Sequence, residues 1–112
     1  MHMIGKEITV TMTPPGGNPQ TLIAIKGWDY NWQEIYTFEE KIPVKAGTVL
    51  EVEAFYDNSA KNPSNPNDPP KPVLFGEQTT NEMCFVFLGA TSDKPGRIRS
   101  TFLRDDKKEK SE

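Results

Sequence analysis

Glu7-Ile8-Thr9-Val10-Thr11-Met12-Thr13 is the stretch that decides the fold class. Apolar side chains alternate with threonine. Successive side chains of an extended strand point to opposite faces, so Ile8, Val10 and Met12 share one face and the threonines the other. The pattern predicts a half-buried β-strand. Pro14-Pro15-Gly16-Gly17-Asn18-Pro19 follows and predicts a turn, because proline and glycine supply the φ values that turns require. Thr21-Leu22-Ile23-Ala24-Ile25-Lys26 then predicts the return strand of a hairpin.

Further strands are expected at Gln33-Glu34-Ile35-Tyr36-Thr37-Phe38 and, after the turn Lys45-Ala46-Gly47-Thr48, at Val49-Leu50-Glu51-Val52-Glu53-Ala54-Phe55-Tyr56. Met83-Cys84-Phe85-Val86-Phe87-Leu88 is apolar on both faces and predicts a central strand. The 10 prolines and 8 glycines are scattered and argue against long helices. Short strands with turn punctuation predict an all-β chain, an antiparallel β-sandwich. At 112 residues the chain has the length of one domain. Residues 1–103 are assigned to it and residues 104–112 to a charged, flexible tail of mixed sign.

The 13 basic and 16 acidic side chains give a net charge of -3 without a basic stripe, which argues against a nucleic-acid partner. No apolar run approaches the roughly 20 residues needed to span a bilayer. The opening Met1-His2-Met3-Ile4-Gly5-Lys6-Glu7 lacks the basic-then-apolar order of a signal peptide. The lone cysteine, Cys84, cannot form an internal disulfide, so the redox compartment stays open.

Few residues carry chemistry. Met83 follows the polar run Gly76-Glu77-Gln78-Thr79-Thr80-Asn81-Glu82. Its thioether is a soft, neutral donor suited to Cu(I), although a methionine at a strand start more often fills a core. His2 is the chain's 1 histidine. Imidazole suits copper, whereas a histidine so near a terminus is usually solvated. Met1 and Met3 are further thioethers. Trp28, Tyr30 and Trp32 alternate and form either a stacking platform or a packed sandwich corner. Asp57 to Pro72 is rich in asparagine and proline and predicts a long loop, functional or mobile. Cys84 lies in an apolar run and reads as inert packing. No phosphate loop and no nucleophile–histidine–acid set is present.

Several segments together resemble a known family. Gly76-Glu77-Gln78-Thr79-Thr80-Asn81-Glu82-Met83-Cys84 is similar to the segment that carries the methionine copper ligand in the peptidylglycine α-hydroxylating and dopamine β-monooxygenases. Trp28-Asp29-Tyr30-Asn31-Trp32-Gln33, Tyr56-Asp57-Asn58-Ser59-Ala60 and the loop through Asn67 resemble the bacterial relatives more closely. The resemblance covers about residues 1–90 and points to the C-terminal domain of the type II ascorbate-dependent copper monooxygenases.

It implies a jelly-roll-like sandwich holding one copper, bound by a His-x-His pair and a methionine, where oxygen is activated. A second copper in an N-terminal domain supplies an electron, and ascorbate re-reduces both. The resemblance places His2 on the second histidine and Met83 on the methionine. The first histidine would fall immediately before Met1. The expected reading is therefore a domain truncated at its N-terminus, with an incomplete metal site made of His2 and Met83. An N-terminal copper domain is the implied partner, dimerisation through an exposed sheet edge is a second consequence, and a secreted or periplasmic location is implied. The alternative is a metal-free β-sandwich binding or interaction module that uses the tryptophans and the long loop.

Overall fold

The computed structural model describes residues 1–94, so the expected tail at 104–112 lies outside the described residues. These residues form strands and no helix: β1 (Gly5–Thr13), β2 (Gln20–Ile25) and β3 (Val49–Tyr56). No helix here is long and apolar enough to cross a membrane. The three strands make one antiparallel sheet in the order β2-β1-β3, with β1 in the centre.

The alternation in β1 sets the faces of the sheet. Val10 pairs with Ile23 on one side and Val52 on the other, and Ile8 pairs with Ile25 and Ala54. Residues directly opposite share a face, so these six form one apolar surface. Thr9, Thr11 and Thr13 point the other way, with Glu51 and Glu53 opposite Thr11 and Thr9. Val10 is the most deeply buried side chain, at 1% exposure, and Ile8 and Met12 are buried beside it. Leu50 and Val52 on β3 remain 46% and 45% exposed, which leaves the apolar face open along that edge.

Two register slips shape the sheet. Gly5 faces Tyr56 while Glu7 faces Phe55, so Lys6 is an extra residue on β1. Val10 faces Ile23 while Thr11 faces Thr21, so Leu22 is extra on β2. An extra residue bends its strand and re-aims its side chain. Lys6 uses that freedom: its Nζ donates to Asn62 Oδ1 at 2.8 Å, and its carbonyl accepts the Trp28 N–H at 2.9 Å.

The loop from Asp57 to Pro72 is held by its own side chains. Buried Asn62 donates to the Asp57 carbonyl at 2.7 Å and also accepts the Ser64 N–H at 3.0 Å. Asn65 donates to Asn58 Oδ1 at 3.0 Å, and Asn58 donates to the Lys71 carbonyl at 2.8 Å. Asparagine side chains here replace a backbone ladder that the prolines cannot form. Asp57 Oδ1 accepts the Ser59 N–H at 2.9 Å, and that bonding to Ser59 holds its carboxyl below the usual range.

Two expected strands are not formed. Residues 33–38 have no ladder, and Ile35 is 96% exposed. Residues 83–88 are likewise unpaired, with Phe87 93% exposed. Alternation or an apolar run describes the faces a strand would present, but a strand also requires a neighbouring edge to satisfy its N–H and C=O groups. Among the described residues β2 and β3 each keep an outer edge, and neither segment docks there.

Val10→Ala is expected to cost about 2 kcal/mol, because it empties the best-packed site of the sheet, whereas Ile35→Ala should stay within about 0.5 kcal/mol. Asn62→Ala strands the Lys6 ammonium and the Ser64 amide and should cost about 1–3 kcal/mol. Urea unfolding of the three variants measures both expectations. Equal losses in Val10→Ala and Ile35→Ala would refute the core assignment.

Candidate metal centre

His2 lies just before β1 and is 8% exposed. Met3 and Ile4 form a turn. Opposite them runs a compact loop, closed by the Gly76 N–H to the Glu82 carbonyl at 3.2 Å and the Asn81 N–H to the Gln78 carbonyl at 2.9 Å. The Glu82 N–H returns to the Leu74 carbonyl at 3.1 Å, and Phe75 and Glu82 form an isolated bridge. An added Cβ at Gly76 would overlap the Asn81 carboxamide, so a side chain there would displace Asn81.

The loop and the N-terminal segment meet through Glu82. Its Oε1 accepts the His2 N–H at 2.7 Å and its Oε2 accepts the Ile4 N–H at 3.1 Å. The His2 ring nitrogen Nδ1 lies 2.9 Å from the Asn81 carbonyl oxygen. A carbonyl only accepts, so Nδ1 carries a hydrogen, and in the neutral ring the lone pair is then on Nε2. Among the described residues nothing bonds Nε2, and no buried side-chain nitrogen or oxygen there lacks a partner, so Nε2 is not sealed off as an orphan.

Aromatic residues complete the surroundings. Tyr30 meets the imidazole edge-on, with ring centroids 5.8 Å apart at 89°. Trp28 Nε1 donates to the His2 carbonyl at 3.1 Å. Trp28 therefore works as a hydrogen-bonded wall for the N-terminal segment. Trp32 stays 68% exposed. Met1 is buried, and its sulfur packs towards Gly5.

Met83 follows Glu82 directly and is half-buried. The Tyr56 hydroxyl, at the end of β3, donates to the Met83 carbonyl at 2.8 Å. Partial burial, then the neighbouring Cys84 thiol and Glu82 carboxylate, hold the Tyr56 phenol well above its ordinary range. The shift favours the protonated hydroxyl, the form that donates. Cys84 is free and exposed, against the buried position expected of it.

The two residues singled out in the sequence thus belong to neighbouring segments: the backbone around His2 is bonded to the pair Asn81-Glu82, and Met83 is the next residue. No group of three or more His, Cys, Asp or Glu side chains suited to a metal ion occurs among the described residues. His2 and Met83 would offer an imidazole and a thioether.

The family model for the C-terminal domain of copper type II ascorbate-dependent monooxygenases matches residues 1–90. The chain belongs to this family. No curated protein and no solved structure gives a match. Membership makes the chain monooxygenase-like and related to ascorbate- and copper-dependent enzymes.

Sequence reasoning missed Asn81, Glu82 and Tyr30 as parts of this centre. Glu82 stands in the quoted motif, but nothing in its spacing shows that its carboxylate reaches back 80 residues to an amide.

Gly76→Ala should cost about 1–3 kcal/mol through overpacking against Asn81, whose own Cβ leaves little room for rotation. The same variant is expected to shift the His2 ring proton resonances. Unchanged stability with unchanged His2 shifts would dissociate the loop from the histidine.

Proposed function

We propose that this domain binds one copper ion through His2 and Met83 and that it is the oxygen-activating half of an ascorbate-dependent copper monooxygenase. The observation that carries the reading is the His2 imidazole, bonded at Nδ1 and at Nε2 bonded by no described residue, beside the segment that bears Met83, within a chain whose family is copper-dependent. A histidine that ligates through one nitrogen generally donates the other N–H to a carbonyl or carboxylate, which fixes tautomer and ring orientation. The donor set fits: imidazole and thioether are neutral, and the thioether favours Cu(I). Copper, when bound, supplies the site at which the family takes up and activates dioxygen for hydroxylation.

The chain's own residues hold the site in place. The Asn81 carbonyl keeps the proton on Nδ1, Tyr30 limits rotation of the ring, and the Tyr56 hydroxyl anchors the Met83 backbone. The open apolar face along Leu50 and Val52 supports a two-layer, jelly-roll-like sandwich, in which a second sheet would cover these side chains. An N-terminal copper domain is the partner that would deliver the electron.

One observation favours a second reading, a metal-free interaction module. Besides the single histidine, the described residues offer no cluster of strong ligands. Trp32 and Tyr36 are exposed and line a shallow cavity of about 180 Å³ with Ile25, Trp28 and Asp29.

A Cu(I) titration against a competing chelator separates the two. One-to-one binding is expected. His2→Ala and Met83→Ala should each weaken it by at least about 10–100-fold, the range reached when only the residue behind a ligand is lost. Affinity that stays within about threefold in Met83→Ala would remove the copper assignment and leave the aromatic cavity as the functional surface.

A further inference from the structure

We infer that Glu82 is the positioning residue of this centre: its carboxylate latches the N-terminal segment and so holds the His2 imidazole as the Nδ1–H tautomer. The inference rests on the copper reading only for its effect on affinity. The latch itself is a property of the metal-free chain.

The geometry is specific. The turn at Met3 and Ile4 brings the His2 and Ile4 N–H groups to one carboxylate, one to each oxygen, at 2.7 and 3.1 Å. Backbone N–H groups converging in a turn make a concavity that takes an anion. Bonds from N–H to a carboxylate are charge-assisted and roughly twice as strong as neutral ones. Asn81, the preceding residue, contributes its carbonyl to His2 Nδ1 at 2.9 Å. Three hydrogen bonds between one dipeptide and one turn therefore fix the segment and the ring together.

Free imidazole in water has no such acceptor placed at Nδ1. The tautomer is selected only while Asn81 and His2 remain in register, and the Glu82 carboxylate supplies that register. Glutamine at position 82 keeps the volume but loses the charge, and in the present geometry its NH2 group would replace one of the two acceptor oxygens and face an N–H.

The test compares the full chain with Glu82→Gln, Glu82→Ala and, as a control, Glu77→Gln, which alters an exposed carboxylate on the same loop. Long-range 1H–15N spectra of the metal-free proteins read the His2 tautomer. The wild type and Glu77→Gln should show Nδ1–H, and the Glu82 variants a mixture containing Nε2–H. Cu(I) affinity should fall about 10–100-fold in Glu82→Gln and remain unchanged in Glu77→Gln.

A wild-type ring protonated at Nε2 overturns the latch, whether or not any variant folds. So does a folded Glu82→Ala that keeps a pure Nδ1–H ring. If the tautomer responds as expected but wild-type Cu(I) binding is weak, the latch stands and the copper reading fails.

Discussion

One carboxylate, that of Glu82, satisfies two backbone N–H groups from the other end of the described chain. Orphaned N–H groups at a partly buried turn cost about as much as a lost hydrogen bond each, so the turn at residues 2–4 depends on its anion. The carboxylate depends on the turn in the same way, since an unpaired acid beside Ile4 and Tyr56 would lose solvation without compensation. The pairing is mutual, and it places the only histidine of the chain against Asn81.

The sheet delivers the other half of that arrangement. Residues 2–4 run directly into β1, the central strand, so their position is set by a ladder on each side. Ties from both flanks converge on them. Trp28, just beyond β2, donates to the carbonyls of His2 and Lys6, and Asp57, just beyond β3, donates to the Ile4 carbonyl at 2.8 Å. The extra residue at Lys6 turns one more side chain away from the sheet, onto Asn62. The asparagine-rich loop is thereby fastened to the same few residues. A strand, a hairpin end and a loop thus all terminate at the segment that bears the imidazole.

What could be read from the sequence follows from this division of labour. β1, β2 and β3 were legible because alternation and turn residues act within a short window, and β3 falls at Val49–Tyr56 as expected. The family was legible from the segment around Met83 and the aromatic run. Residues 33–38 and 83–88 carry strand-like patterns without a strand, because the pattern cannot show whether the segment comes to lie along a sheet edge. Glu82 was invisible for a related reason. Its partners are backbone amides, which have no signature in a sequence, and it meets them only after the loop from Gly76 has closed.

The same contacts bear on which ion suits the centre. Hard dications are held by several anionic oxygens, often in carboxylate clusters. Glu82 is the acid beside His2, and both of its oxygens are engaged by amides. It serves the turn and is not a free ligand. The donors of the proposed site would be the His2 imidazole and the Met83 thioether on the next residue of the loop. Imidazole binds copper in either oxidation state, and the soft thioether favours the reduced one. A carboxylate engaged by backbone amides therefore does more than fasten the turn: on the proposed copper reading, it holds the imidazole in place without serving as a ligand itself.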